Sequence, residues 1–379
     1  MLDLAVIQRF LPPDSRGGAG HFTVGLCAAL SARGHHVTVF SQDRGPAGAA
    51  YRVEQLPGRD RRLAPILFPA QLRAVDFSGF DLVHAQGDEQ CIRHAGRPVV
   101  RTLHGSSLAE AQSYGFGHFS PKHLLLHAWF YAWELVAVVR ADAVVGVSAA
   151  SGRHVPREIE VIPNGIDPDD LQPVEDLDEL RARFAEPHQK LVLLVGRLVY
   201  EKGFQLALDA LPGLIKRLGD VRFLVAGSGT HEAELRKQAE RLGLMEHGTF
   251  LGWIGDDVLH SLYRIADLTV VPSLYEPFGL VALEAMASGC PCIVADTGGL
   301  REVVPNHDVG LRFKTKSPRS LSHWITRVLT DDELRERLVA EASEHVLRFD
   351  WADIAAQTAG LYRRVAAPRP SALRRGAGG

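Results

Sequence analysis

Short runs of aliphatic and β-branched residues alternate with helical stretches along this chain, and the alternation runs through twice. In the first half, Leu4-Ala5-Val6-Ile7 reads as a strand, followed by a loop over 11–18. Apolar residues at Phe22, Leu26 and Leu30 then recur at helical spacing and stop at Gly34. Further strands are expected over 36–40, 81–84, 99–103, 143–147 and 159–162. The second half restarts with a wholly apolar strand over 191–195. Helices over 203–218, 232–242, 256–265 and 278–288 then alternate with strands over 221–226, 249–251, 268–271 and 292–295, and helices fill most of 318–365. Alternation of this kind builds parallel sheets covered on both faces. The expected class is therefore α/β, with two doubly wound domains and ligands held at the carboxyl ends of their strands.

A length of 379 residues suits two domains that each bury a core. Forty-two basic against 45 acidic residues leave a net charge of −3, which gives no sign of a nucleic-acid partner. Four cysteines, Cys27, Cys91, Cys290 and Cys292, make no disulfide framework and fit a reducing cytoplasm. Cys290 and Cys292 bracket one proline, which is not the spacing of a zinc or redox motif, and read as the start of a buried strand. The chain opens directly on a strand rather than on a basic leader with a cleavage site, so a cytoplasmic location is expected. The most apolar segment, 124–139, is shorter than a membrane span and holds His127 and Glu134. It is expected to be a buried helix. The lesser reading is a weak contact with a membrane surface, since Trp129, Phe130, Tyr131 and Trp133 would suit an interface.

The chemistry concentrates in Tyr275-Glu276-Pro277-Phe278-Gly279-Leu280-Val281-Ala282-Leu283-Glu284. A strand ends just before it, a proline and glycine turn follows, and a helix begins. The first amides of that helix, near Phe278 to Val281, lack intrahelical acceptors, and the helix dipole favours an anion there. A phosphate is the expected anion. Glu284 lies about 9 Å further along the axis at about 1.5 Å per residue, a reach that fits a carboxylate accepting from the ribose of a bound nucleoside diphosphate. The plain alternative is a surface turn and a solvated glutamate. The apolar neighbours of Glu284, Ala282, Leu283, Ala285, Met286 and Ala287, argue against it.

Two glutamates separated by seven residues, in the run E-P-F-G-L-V-A-L-E-A-M-A-S-G-C-P, closely resemble the signature of retaining glycosyltransferases of family 4, which have the GT-B fold. The resemblance spans nearly the whole chain and is strongest over 163–311. It implies that Glu284 binds the donor ribose. It also implies that Glu276, with the amides of Phe278, Gly279 and Leu280, contacts the donor sugar and phosphates. The expected layout is an acceptor-side Rossmann-like domain over 1–165, a nucleotide-sugar-binding one over 166–350, a helix over 351–365 packing back on the first, and a disordered tail over 366–379.

The same resemblance gives roles to residues that would otherwise read as ordinary. Gly196, Arg197 and Lys202 end one strand and open the next helix, and two cations there suit a leaving diphosphate. Alone they would read as solvated surface cations; in the family the matching pair holds the diphosphate. Arg16-Gly17-Gly18-Ala19-Gly20 fails as a dinucleotide fingerprint because Thr23 stands where a third glycine should. By resemblance Gly17 and Gly18 lie against the donor phosphate and acceptor. His104, at the end of a strand, is given contact with the transferred sugar, and Gly227 a place lining the nucleotide pocket. Trp253 would flank the base or sit in the core. Asp167-Pro168-Asp169 spells a metal-binding D-x-D, but in a linker (163–187, the expected hinge), and the family works without a bound metal or cofactor. Catalysis is assigned to His104, Glu276, Arg197 and Lys202.

The resemblance thus implies transfer of a sugar from a nucleotide donor, a UDP-sugar first and GDP-mannose next, to an acceptor hydroxyl. The acceptor stays open among a natural product, a polyol, a glycan and a lipid-linked sugar, and the oligomeric state is not implied. A basic stretch at Arg59, Arg61 and Arg62, interrupted by Asp60, could meet an anionic acceptor or simply be a solvated loop. A nucleotide-sugar epimerase of the same fold and a non-catalytic partner protein are the competing readings. All of Arg197, Lys202, Glu276 and Glu284 being present counts against the second.

Overall fold

A computed structural model describes residues 1–13, 17–58, 64–92, 96–113, 121–173 and 176–367. Arg16, the stretch from Arg59 to Arg62 and the tail from 368 lie outside the described residues. The strands are β1 (Asp3–Ile7), β2 (His36–Ser41), β3 (Arg52–Gln55), β4 (Leu82–Ala85), β5 (Val99–Leu103), β6 (Ala143–Gly146), β7 (Glu160–Val161), β8 (Lys190–Val195), β9 (Val221–Ala226), β10 (Gly248–Gly252), β11 (Leu268–Val271), β12 (Cys292–Ala295) and β13 (Leu311–Phe313). The helices are α1 (Gly18–Ala32), α2 (Ala64–Leu72), α3 (Ser107–Ser113), α4 (Pro121–Arg140), α5 (Leu177–Ala182), α6 (Phe204–Leu218), α7 (Glu232–Arg241), α8 (Asp256–Ile265), α9 (Leu280–Ala287), α10 (Leu300–Val303), α11 (Pro318–Thr330), α12 (Asp332–Val346) and α13 (Trp351–Ala366).

The strands form two sheets, ordered β3-β2-β1-β4-β5-β6-β7 and β10-β9-β8-β11-β12-β13. β1 runs parallel between β2 and β4, and β8 parallel between β9 and β11. Past their first residues, Asp3 and Lys190, both central strands are apolar because helices cover both faces: Leu4 to Ile7 and Leu191 to Leu194 are all buried. One compact unit comprises Met1–Thr102, Val136–Val145 and the chain from Ile354 onward; the other comprises Leu103–Leu135 and Gly146–Asp353. In the first unit, Phe40 packs edge-on against Phe77 and Phe80. There the buried His84 ring meets Tyr362 Oη of α13 through Nδ1 at 2.5 Å and Thr102 Oγ1 through Nε2 at 2.7 Å.

Three expectations need correction. The segment over 163–187, read as a linker and hinge, carries short capped elements rather than a bare linker. Asp167 caps a short 3-10 turn (Pro168–Leu171), Asp176 caps α5 by accepting from the amides of Asp178 and Glu179, and Leu171, Leu180 and Ala185 are buried. Two of its aspartates, Asp167 and Asp176, are helix caps, so the lack of apolar periodicity reflects short elements. Helix α9 begins at Leu280, two residues later than expected, because Gly279 takes a left-handed conformation (φ 117°) that ends the preceding turn. The third correction concerns α4, which is not a buried helix.

Leu125, Leu126, Trp129, Val136 and Val139 of α4 are exposed, Leu125 by 72% and Val139 by 69%. The face turned inward carries polar groups: Glu134 accepts from the Ser107 amide at 3.2 Å, and Tyr131 Oη donates to the His154 carbonyl at 2.5 Å. Apolar residues at positions 125, 129, 136 and 139 lie on one side of the helix, away from those contacts. No described helix is long and apolar enough to cross a membrane. Trp253, expected in the core or beside the base, is 52% exposed and so is not a core residue. The edge strand β3 escaped notice because Arg52-Val53-Glu54-Gln55 offers one apolar residue.

The exposure of α4 carries a stability expectation. Leu125→Ser should change unfolding free energy by less than about 0.5 kcal/mol, whereas Leu193→Ala in the β8 core should cost about 2–5 kcal/mol. Chemical denaturation of both variants checks this; a Leu125→Ser loss as large as that of Leu193→Ala would restore the buried-helix reading.

Candidate active site

The second unit's sheet changes direction at β8 and β11: from β8 the chain builds outward through β9 to one edge, and from β11 through β12 to the other. A doubly wound sheet opens its ligand crevice at the carboxyl ends of those two strands. There the chain leaves β8 through Gly196 and Arg197, and leaves β11 through Pro272 and Ser273. Gly196 donates its amide to the Ala226 carbonyl at the end of β9 (3.0 Å), and Gly227 donates to the Gly252 carbonyl of β10 (2.7 Å). Gly196 and Gly227 therefore line the strand-end rim beside this crevice.

Two turns are joined across the switch point. The amides of Leu274 and Tyr275 both donate to the Glu201 carbonyl, at 2.8 and 3.2 Å. The connection brings the 3-10 turn Tyr200–Lys202 against the Glu276 turn. Lys202 Nζ then reaches Glu276 Oε2 at 2.7 Å, and Ser273 Oγ donates to the same oxygen at 3.2 Å. The Lys202 side chain is 21% exposed and that of Glu276 is 11%, so the pair is only partly screened by water. Arg197 stands further out, with 64% of its side chain exposed and its guanidinium 3.9 Å from the buried Glu201 carboxylate.

Past Glu276 the chain turns through Pro277 and Phe278 to Gly279, the N-terminal cap of α9. Phe278 is buried. The amides of Gly279, Leu280 and Val281 come too early in the helix for intrahelical acceptors and form its positive end. Glu284 lies one turn in and accepts from Tyr263 Oη of α8 at 2.9 Å. Burial pushes the Glu284 carboxyl up to about 7, although the Tyr263 bond pulls the other way. Tyr263 is itself pushed up, by burial first and by the Glu284 charge next. Glu284 thus accepts from Tyr263 in surroundings that favour its protonated form.

His104 is half-buried at the end of β5, and the residues after it pack on this same turn. The Ser106 amide donates to Tyr275 Oη at 2.7 Å, and Ser148 Oγ donates to the Pro277 carbonyl at 2.5 Å. Glu110 of α3 also faces the site: burial and the Glu201 charge raise its carboxyl, while His127, Arg197 and Lys202 pull it down. Sequence reasoning missed Glu110, Tyr263 and Ser273, since none sits in a recognisable spacing, and gave no role to Tyr275 although that residue begins the run it singled out. It also missed Gly298 and Gly299 after β12. The Gly299 amide donates to the Glu276 carbonyl at 2.9 Å, and a Cβ on Gly298 would sit 2.1 Å from that oxygen. The repeated glycine in Thr297-Gly298-Gly299 was the available signal.

Of the predicted residues, the second unit brings together Arg197, Lys202, Glu276, Phe278, Gly279, Leu280 and Glu284, with Gly196 and Gly227 on the rim. Gly17 caps α1 and Gly18 is its first residue, both in the first unit. An open basic depression lined by Asp296, Arg301, His307, Arg312, Lys314 and Thr315 lies past β12 and β13, and none of the predicted residues lines it.

The geometry has close counterparts. Residues 16–170 match the model described as Glycosyltransferase Family 4, and residues 176–345 match Glycosyl transferases group 1. The phosphatidyl-myo-inositol mannosyltransferase of Mycobacterium leprae is 30% identical over 93% of this chain and 94% of its own. Sucrose-phosphate synthase from Thermosynechococcus elongatus superposes with a TM-score of 0.80 at 25% identity, covering 97% of this chain and 100% of that one. Anabaena HepE in complex with UDP-glucose has the same fold, with a TM-score of 0.76 at 23% identity over 96% and 100% of the two chains. With both halves matched and the charged crevice in place, this chain belongs to the family 4, group 1 glycosyltransferases and is a nucleotide-sugar glycosyltransferase of the GT-B fold.

Proposed function

We propose that the enzyme is a retaining hexosyltransferase whose donor is a UDP-sugar, with GDP-mannose the next candidate. The observation that carries the reading is the convergence of Lys202, the Glu276 turn and the positive end of α9 at one strand switch, with Glu284 one turn further in. The diphosphate lies on the amides of Gly279, Leu280 and Val281, with Lys202 and Arg197 at its oxygens. Glu284 accepts from the ribose hydroxyls. Glu276 and His104 contact the transferred sugar. The UDP-glucose held by the Anabaena relative supports the choice of base, and the mannosyl transfer named for the Mycobacterium leprae relative supports mannose as the second sugar to try.

In the proposed reaction the bond from the anomeric carbon to the diphosphate oxygen breaks, and its electron pair leaves with the phosphate. The acceptor oxygen bonds to the anomeric carbon on the same face, and its proton passes to the departing phosphate oxygen. Charge builds on the leaving group, where Lys202 and the helix amides are already oriented. A double displacement would need a free carboxylate nucleophile. Glu276 suits that role poorly, because Lys202 and Ser273 both engage its Oε2. Trapping of a glycosyl-enzyme on Glu276, seen by mass spectrometry, would overturn front-face transfer. An isomerised sugar from donor alone would favour the epimerase instead.

Two expectations test the assignment. Lys202→Ala should cut turnover by roughly tenfold or more in a folded protein; unchanged kinetics would remove Lys202 from the phosphates. Glu284 titrates higher folded than unfolded, from 4.5 to about 7. Between those values the folded state keeps a proton that the unfolded chain has lost, so stability present at pH 5 is lost as pH rises through 7. Glu284→Gln should therefore reduce the fall in Tm between pH 5 and pH 8. It should also abolish the Tm rise that UDP-sugars cause in a panel of nucleotide donors. An unaltered pH slope, or an undiminished donor shift, would contradict the role given to Glu284.

A further inference from the structure

The ends of β12 and β13 carry a second group of charges that the donor reading leaves unused. β13 runs parallel beside β12, with Arg312 level with Val294, one residue before the end of β12. Asp296 follows β12 directly, Lys314 and Thr315 follow β13, and Arg301 comes from α10. With His307 they line an open depression of about 440 Å³, within the size range of small-molecule sites. All six residues belong to the second unit.

The depression holds more cation than carboxylate. Asp296 Oδ1 accepts from Arg301 Nε at 2.8 Å and lies 4.0 Å from Arg312 Nε. The Asp296 carbonyl accepts from Arg301 Nη2 and from Thr315 Oγ1, both at 2.9 Å. Lys314 is exposed and makes no ion pair among the described residues. Arg301, Arg312 and Lys314 thus share one carboxylate, a surplus of two positive charges before His307 is counted. Neighbouring acids do not cancel it. Glu302 is turned to the amides of Ala149 and Ala150, from which it accepts at 3.0 and 3.3 Å. Asp308 does not line the depression and is outnumbered by the flanking Lys316 and Arg319.

Two features favour a bound anion over three solvated cations. Asp296 fixes Arg301 through both its carboxylate and its carbonyl, which orients the guanidinium and leaves its other N–H donors for a ligand. Arg312 is half-buried, with 27% of its side chain exposed, and its one ion-pair contact among the described residues is the 4.0 Å approach to Asp296. A half-buried cation without a close counter-charge is costly, and an anion in the depression would lower that cost.

The charge surplus also selects the anion. A phosphate monoester carries close to two negative charges above its second pKa of about 6, and its three oxygens accept from several donors at once. A diester or a carboxylate carries one charge. We propose that the depression past β12 and β13 is a second anion site, separate from the donor crevice, and that it binds the phosphoryl group of a small phosphate monoester. The site stands whether or not the donor assignment holds.

The test is calorimetric titration of the full chain at pH 8, with excess UDP present to fill the donor crevice. Glycerol 3-phosphate is the monoester probe and dimethyl phosphate the singly charged control. Cosedimentation with phosphatidylcholine vesicles, with and without phosphatidic acid, offers the same monoester on a lipid. Glycerol 3-phosphate should bind at least tenfold more tightly than dimethyl phosphate. Arg301→Gln and Lys314→Gln should each weaken that binding roughly tenfold or more. Arg301 ends the 296–301 segment that holds the Glu276 turn, so Lys314→Gln, at an exposed side chain outside that segment, is the deciding variant. Binding to phosphatidic acid vesicles alone, lost in Lys314→Gln, supports the site and assigns its monoester to a lipid. Binding of neither form, a diester bound as tightly as the monoester, or binding unchanged in Lys314→Gln overturns the proposal. Failure of UDP itself to bind would sink the transferase reading instead, and the same variants would still decide the depression.

Discussion

The crevice at the β8/β11 switch is shaped by backbones that approach too closely for any side chain, at Gly203 and Gly298 among others. A Cβ on Gly203 would sit 2.0 Å from the Pro272 carbonyl oxygen, and one on Gly298 would sit 2.1 Å from that of Glu276. The first contact presses the start of α6 against the end of β11. The second clamps the Glu276 turn from the side of β12. Between them the turn has little freedom, and the start of α9 points its free amides at one spot. The charged side chains follow from that: Lys202 precedes Gly203 and Glu276 begins the clamped turn, so their 2.7 Å contact results from the backbone clamp.

A carboxylate beside the proposed phosphate site needs an account, because like charges repel. Glu276 Oε2 accepts from both Lys202 and Ser273, which satisfies one oxygen of a partly buried carboxylate. A diphosphate entering beside Lys202 shares that cation rather than meeting a bare carboxylate. Glu284 answers the opposite need. It accepts from Tyr263 Oη, and its apolar surroundings push its carboxyl up to about 7. Two ribose hydroxyls would supply further donors, so donor binding and ionisation of Glu284 favour one another.

Much of this was legible in the sequence, and the reasons are physical. Parallel strands covered on both faces run nearly all apolar, so β8, β9, β11 and β12 stood out, three of them to the residue. Gly279 and Glu284 could be read because a helix start and its spacing are local properties. What escaped depended on distant segments. Tyr263 reaches Glu284 from another helix, and Tyr275 is engaged by the Ser106 amide 169 residues away. The misreading of α4 has the same origin: its apolar content was plain, but only the contacts of Glu134 and Tyr131 decide which face turns inward. The basic depression past β12 and β13 was invisible for that reason too, since strand order brings together residues that no motif joins.

The central claim is that the clamped turn and the positive end of α9 receive the donor diphosphate. A crystal structure of the enzyme soaked with UDP tests it most directly. The account predicts phosphate oxygens within hydrogen-bond distance of the Gly279, Leu280 and Val281 amides, with Lys202 Nζ in contact with them and the ribose hydroxyls on Glu284. Phosphates bound elsewhere, with the Lys202–Glu276 contact undisturbed and Glu284 still engaged by Tyr263 without the ribose, would contradict it.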